Sequence, residues 1–178
     1  LELVRIKEME VHVRKSNRKS GAVPSWQGGR MPLSSQMSAM IRYKLAEVVE
    51  GKEFDEEMKF LKPLFELQKY RSHLPGKNEF LIEYLQSTEG YHVTMYPFEG
   101  RFVHEGMAAL VAYRIAQIQP ITFSLAMNDY GFELLSDQPI PIEEAIETDM
   151  LGSDNLLKDI QASINSTEMA RRKFRDIA

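Results

Sequence analysis

Residues 79–119 read EFLIEYLQSTEGYHVTMYPFEGRFVHEGMAALVAYRIAQIQ, and this stretch decides the class of fold. The segments EFLIEYLQS and YHVTMYPFE favour β-strands, and Thr88-Glu89-Gly90 between them is short enough for a hairpin connection. The run from Val103 to Gln119 is dense in alanine and apolar on more than one side, which predicts a helix buried against a sheet. A hairpin followed by a helix indicates antiparallel pairing.

The same pattern recurs downstream. The segments ITFSLAMND and FELLSD predict a second hairpin joined by Tyr130-Gly131. Pro141, at a first helical turn, starts a helix over PIEEAIETDML, whose acidic residues suit the positive end of the helix dipole. A final helix is predicted from Asn155 to Ala178.

Two helices are predicted upstream of the first hairpin. The first begins after Pro32, with Ser34 or Ser35 as the N-cap, and ends at Gly51. The second runs from about Asp55 to Arg71. Hairpins with segregated helices predict an α+β fold, in which antiparallel strands form hairpins and several helices pack on them.

The N-terminal segment LELVRIKEMEVHVRK alternates with a period of two, which predicts either two strands or one strand with a break at Glu8–Met9. The chain starts at Leu1 inside this pattern rather than at a methionine, so we expect a fragment of a longer polypeptide. We divide it into residues 1–35, holding the strands and a loop with Gly and Pro, and residues 36–178, the α+β body. We expect the two parts to form one domain.

Composition excludes several classes of function. The 178 residues contain no cysteine, which rules out disulfides, thiolate metal sites and cysteine nucleophiles and is compatible with a cytoplasmic location. The longest apolar stretch is broken by Arg114 and is far shorter than a membrane span, so no membrane partner is expected. The sequence lacks G-x-x-x-x-G-K-[ST], G-x-G-x-x-G, H-E-x-x-H and G-x-S-x-G, and this chain alone is not expected to hydrolyse ATP.

Charge is distributed unevenly along the chain. Residues Arg5 to Arg30 carry seven Lys and Arg against two Glu, a net charge of +5. Because Glu2 adds one negative charge, the overall net charge of −4 leaves −8 for Met31 to Ala178. An acidic body with one basic edge can present that edge to a polyanion.

The basic segment is the candidate nucleic-acid site. Its lysines and arginines can neutralise phosphates, and the indole of Trp26 can stack on an unpaired base for roughly 1–3 kcal/mol. The alternative is that Trp26 fills a core and that the cations are simply solvated. The candidate residues are Arg14, Lys15, Arg18, Lys19, Trp26 and Arg30.

A second cluster, in PFEGRFVHEG, offers a weaker case for catalysis or metal binding. Glu99, His104 and Glu105 could act as acid and base or bind a metal. Adjacent residues on a helix point about 100° apart, so His104 and Glu105 do not converge easily. The favoured interpretation places His104 near a helix start, hydrogen-bonded to backbone, and we predict no catalytic residue and no metal site.

Three separated segments carry a family resemblance. VPSWQGGRMPLSSQM, YPFEGRFVHEGMAALVAYR and PITFSLAMNDYGFELLSDQPIPIEEA resemble, in this order, the C-terminal accessory region of the ligase-associated DEXH-box helicases, which are relatives of the Lhr group. That region is often called the DEAD/H-associated domain. The resemblance spans essentially the whole chain.

The resemblance implies a parent that is an ATP-dependent, 3′-to-5′ DNA helicase acting in DNA repair. Its motor and winged-helix domains would lie upstream, and the motor would use ATP and magnesium, with no cofactor in this region. The N-terminal strands would belong to a β-barrel-like module. An ATP-dependent DNA ligase and a metallophosphoesterase are implied partners, and the family assigns no catalytic residue here.

Charge and resemblance together lead to one expected function. We expect an accessory domain that guides single-stranded DNA, with RNA or a hybrid as alternatives. The rival interpretation is a protein–protein docking module that links the helicase to the ligase or the nuclease.

Overall fold

A computed structural model describes residues 2–7, 10–15, 33–52 and 55–166. The chain divides into two compact units, residues 1–31 and 32–178. In the first unit, strands β1 (Glu2–Lys7) and β2 (Glu10–Arg14) lie where the alternating pattern predicted strand structure, and they pair antiparallel. Two paired strands do not close a barrel, so the described residues give no support for the expected barrel-like module.

The second unit mixes helices with one antiparallel sheet. In chain order its elements are α1 (Ser35–Val49), α2 (Glu56–Arg71), β3 (Ile82–Gln86), β4 (Tyr91–Met95), α3 (Arg101–Ile118), β5 (Ser124–Met127), β6 (Phe132–Ser136), α4 (Ile142–Glu147) and α5 (Leu156–Ser166). The four strands lie in the order β3-β4-β6-β5, and every neighbouring pair is antiparallel. The predicted α+β class is confirmed.

The main core lies between the sheet and α3. In the central pair of strands, Val93 faces Leu134 and Met95 faces Phe132 across the ladder. These side chains belong to one apolar cluster with alanines and aliphatic residues of α3, and Val93, Met95 and Leu134 are fully buried. Alternate residues of each strand point to opposite faces, so the other face of the sheet carries a mixture of polar and apolar side chains.

Helix α3 begins at Arg101, two residues before the predicted start at Val103. Gly100 sets this boundary, because its φ of 87° turns the chain out of the preceding loop in a conformation that side chains disfavour. Helix α3 then packs against β5, β6, α4 and α5, as expected for a helix apolar on several sides.

Helices α1 and α2 share a smaller core. Ser34 caps α1 by accepting a hydrogen bond from Met37 N at 3.3 Å, and Asp55 caps α2 through Met58 N at 2.9 Å. Both caps fall at predicted helix starts. The small core comprises Val48, Met58, Phe65 and Leu74, with Leu45 packed against it.

Of the two helices predicted at the C-terminal end, the first ends earlier than expected and the second lies only partly within the described residues. Helix α4 ends at Glu147, whereas PIEEAIETDML was predicted to be helical to Leu151. The chain leaves the helix because Asp149 adopts a positive φ of 56°. Helix α5 covers Leu156–Ser166, and the remainder of the predicted helix to Ala178 lies outside the described residues. Among the described helices, none combines the length and apolarity that a membrane crossing requires.

Candidate nucleic-acid interface

The β1–β2 hairpin carries the described part of the predicted interface. Arg14 is the last residue of β2 and Lys15 follows it directly, and both side chains are exposed. The other four candidates lie outside the described residues: Arg18, Lys19, Trp26 and Arg30. The structure therefore places two of the six candidates at one end of the hairpin, and the full site stays a prediction.

The strand register adds one cation to this end of the chain. Arg5 on β1 pairs with His12 on β2, and His12 shares a strand face with Arg14 because alternate residues point the same way. Arg5 is exposed and His12 is half-buried. A β-bulge between Leu3 and Arg5 shifts the register and places Arg5 on this face. Period-two alternation alone, without the bulge, does not predict this pairing.

The hairpin also exposes apolar side chains. Val4 on β1 and Val13 on β2 have 57% and 48% of their surface exposed. A two-stranded ribbon is marginally stable by itself, and valines that are about half exposed add little buried area to it. The ribbon therefore presents cations and aliphatic groups together.

The imidazole ring of His104 is hydrogen-bonded to the backbone. Its side chain is fully buried, and its Nδ1 lies 2.6 Å from the carbonyl oxygen of Asn128, to which it donates. Its Nε2 accepts a hydrogen bond from Glu99 N at 3.0 Å. Both ring nitrogens are thus used by backbone groups, which confirms the structural interpretation of His104.

The carboxylate of Glu99 is committed elsewhere. Arg42 on α1 donates to Glu99 Oε1 and also to the carbonyl oxygens of Pro97 and Phe98, at 3.3 and 3.1 Å. Within the described ranges, no group of three or more His, Cys, Asp or Glu side chains is arranged to hold a metal ion.

The turn between β5 and β6 makes hydrogen bonds to distant segments in addition to those expected within a turn. Asn128 Oδ1 accepts hydrogen bonds from the backbone amides of Tyr130 and Gly131, at 2.8 and 3.0 Å, as turn chemistry requires. Asp129 Oδ1 accepts from Leu33 N at 3.3 Å and from Arg101 N at 3.2 Å. This carboxylate therefore ties the approach to α1 and the start of α3 to one hairpin.

A cleft in the second unit has a volume of about 480 Å³ and lies beside Arg114 on α3. Its lining includes Asp149, Asp154 and Asp159, so carboxylates outnumber the two cations, Arg114 and Lys158. Every nitrogen of the Arg114 guanidinium already donates within the protein. A phosphate in this cleft would meet net negative charge, so we do not assign it to the interface.

Comparison with known proteins identifies the family. Residues 74–178 match the family model described as DEAD/H associated. The ATP-dependent helicase Lhr-Core of Methanocaldococcus jannaschii is 24% identical over 88% of this chain and 20% of its own length. The Lhr-Core of Saccharolobus solfataricus is 22% identical over 99% of this chain and 23% of its length.

One solved structure shares the fold. It is described as the Mycobacterium smegmatis helicase Lhr bound to ssDNA and AMP-PNP, and it matches with a TM-score of 0.56 at 16% sequence identity. The match covers 84% of this chain and 21% of that protein. The chain thus spans about a fifth of the length of the relatives it matches.

Proposed function

Because the chain belongs to the DEAD/H associated family, we propose that it is an accessory domain of an Lhr-like ATP-dependent helicase that guides single-stranded nucleic acid. DNA is the proposed strand, with RNA or a hybrid as alternatives. The parent would carry upstream motor and winged-helix domains, and its motor would use ATP and magnesium. We place the parent in the cytoplasm and in DNA repair, with a DNA ligase and a metallophosphoesterase as proposed partners.

The observation that carries the guiding role is the exposure of Arg14 and Lys15 at the end of β2. The segment from Arg5 to Arg30 has a net charge of +5, while the rest of the chain is acidic. A translocating motor needs a grip that does not depend on base sequence, and phosphate contacts supply one. Trp26 would add stacking on an unpaired base.

Two further facts support the proposal. The related Mycobacterium smegmatis helicase Lhr is described as bound to ssDNA. The β1–β2 ribbon, with Val4 and Val13 exposed, would gain stability from further strands or from a bound partner. We propose that further β-strands, supplied by the parent polypeptide, complete the barrel-like module beside the path of the nucleic acid.

The test is fluorescence anisotropy of a labelled single strand across a salt series. Five phosphate contacts, from Arg14, Lys15, Arg18, Lys19 and Arg30, would give a slope of log K against log salt of about −3.5. Reversing Lys15, Arg18 and Lys19 to Glu should remove binding at moderate salt and reduce the magnitude of any residual slope by about 2.

A matched control reverses three exposed lysines on α2, namely Lys59, Lys62 and Lys69. This variant makes the same change in net charge at a different place, so it should retain most of the affinity and nearly the full slope. Equal losses in both triple variants would mean that only overall charge matters. A slope near zero for the wild type would favour the rival role in protein docking.

A further inference from the structure

Three polar side chains outside the proposed interface form a hydrogen-bonded chain. Ser87 Oγ lies 2.7 Å from His92 Nε2, and His92 Nδ1 lies 2.6 Å from Glu133 Oε1. Ser87 is in the turn after β3, His92 is on β4 and Glu133 is on β6. A hydroxyl, an imidazole and a carboxylate in this order make the arrangement that activates serine nucleophiles.

The protonation pattern follows from the partners. An ionised carboxylate only accepts, so Nδ1 of His92 carries the proton that is donated to Glu133. Nε2 is then the acceptor for the hydroxyl proton of Ser87. The backbone amide of Glu89 donates to Ser87 Oγ at 3.0 Å, so the oxygen is positioned by both neighbours.

The sheet holds the three groups in place. Glu133 pairs with Thr94 across the ladder, which puts Glu133 on the same face as His92 and diagonal to it. This is the face opposite to Val93 and Leu134, which lie in the main core. The side chain of His92 is 10% exposed, so the base is shielded from water, whereas Ser87 is an exposed residue of the turn.

The turn that carries Ser87 is fixed against β6. Gly90 has a φ of 138°, and a Cβ at this position would lie 2.2 Å from the carbonyl oxygen of Ser136. Ser87 N also donates to Gly90 O at 2.8 Å. The hydroxyl is therefore held beside the imidazole by backbone contacts and not by a mobile loop.

We propose that Ser87 is an activated nucleophile that takes acyl groups from small activated esters. Oγ would form a bond to the acyl carbon while its proton moves to His92 Nε2. The ester C–O bond then breaks, and the leaving oxygen takes that proton. Water, deprotonated by the same imidazole, hydrolyses the acyl-serine and restores the hydroxyl.

The substrate class follows from the surroundings of Ser87. The Glu89 amide donates to Oγ itself, so it positions the attacking oxygen and is not assigned as an oxyanion donor. An exposed nucleophile without an assigned oxyanion donor favours esters with a good leaving group over amides. His92 is the proposed catalytic base, and Glu133 is a positioning residue that acts through it.

The test uses the whole 178-residue chain and an alkyl phosphonofluoridate, which forms a stable Oγ–P bond with loss of fluoride. Peptide mass spectrometry should find the adduct on Ser87, and Ser87→Ala should abolish it. The rates at which the same samples hydrolyse p-nitrophenyl acetate should rank as the extents of labelling do, with the wild type active and Ser87→Ala inactive. Ser72, whose hydroxyl donates to Glu83 without an imidazole, is the matched control, and Ser72→Ala should change neither rate.

Three further variants separate chemistry from folding. His92→Ala should label at least about 100-fold more slowly, and added imidazole should restore part of the rate. Glu133→Gln should label at least about 10-fold more slowly, and Glu133→Asp, which keeps the charge, should recover part of that loss. The proposal is overturned if folded wild-type protein gives no adduct on Ser87, or labels Ser72 as fast as Ser87.

Discussion

The guanidinium of Arg114 on α3 donates from Nε to Asp159 Oδ2 on α5 over 2.9 Å. Its Nη1 also donates to the carbonyl oxygens of Met150 and Gly152, and its Nη2 donates to that of Asp154. One side chain thus holds the whole connection from α4 to α5 against α3. In the sequence, this residue is visible only as an interruption of an apolar run.

Arg114→Met is expected to destabilise the fold by about 3 kcal/mol, because it leaves Asp159 and three carbonyls without their donor. The side chains of Arg114 and Asp159 are 12% and 20% exposed, so water compensates only in part. Urea unfolding measures the change. Lys158→Met, in the same cleft, is the control and should cost little, since lysine there makes none of these four bonds. Equal effects of the two variants would contradict the assigned role.

Substitution by alanine should change the stability of the protein in opposite directions at two glycines. A Cβ on Gly131 would lie 2.3 Å from the carbonyl oxygen of Met95, so Gly131→Ala should destabilise the protein by about 1–3 kcal/mol. A Cβ on Gly106, at an exposed position of α3, would meet no neighbouring atom within 4 Å beyond its own helical backbone, so Gly106→Ala should stabilise by up to about 1 kcal/mol. Thermal unfolding of both variants checks the pair, and a loss of stability in Gly106→Ala would count against the packing described.

The cap of α2 should make stability depend on pH. The hydrogen bond from Lys44 Nζ, at 2.6 Å, and then the amide of Met58 lower the pKa of Asp55 below its ordinary value. A carboxyl with a lowered folded-state pKa stabilises the protein above its unfolded pKa, and this contribution is lost as pH falls through the folded pKa.

Asp55→Asn tests this dependence, because asparagine still caps a helix but cannot pair with Lys44. The wild type should unfold at a higher urea concentration than the variant near neutral pH. The difference should shrink as the pH is lowered below about 4. A difference that stays constant over this range would show that the ionised carboxylate contributes nothing.

Local features of this fold are legible in the sequence. Ser34 and Asp55 cap helices through amides three residues away, so the signal and the contact lie in one short segment. The hairpins around residues 87–90 and 128–131 follow from turn residues between strand-like runs. The predicted end of α4 was wrong because Asp149 adopts a positive φ, and residue type alone does not predict this conformation.

Contacts between distant segments could not be predicted from the sequence. Asp129 binds the amide of Leu33 across 96 positions, and Arg114 reaches Asp159 across 45. Such pairs have no fixed spacing in the sequence, so the periodicity of polar and apolar residues does not predict them. The Ser87–His92–Glu133 chain is hidden for the same reason, since Glu133 comes from a strand 41 residues beyond His92. For the candidate interface, the clustering of charge along the sequence predicts the basic segment. The position of Arg5 beside His12 follows only from the strand register.

The most direct test of strand guiding uses Trp26, the single tryptophan of the chain. Titration with a short oligothymidine should quench its emission to saturation, because the indole stacks on a base, and added salt should reverse the quenching. The Lys15, Arg18 and Lys19 to Glu variant should need far more oligonucleotide. Emission that stays unchanged while the oligonucleotide saturates, or quenching that ignores salt, would contradict the proposed grip on the strand.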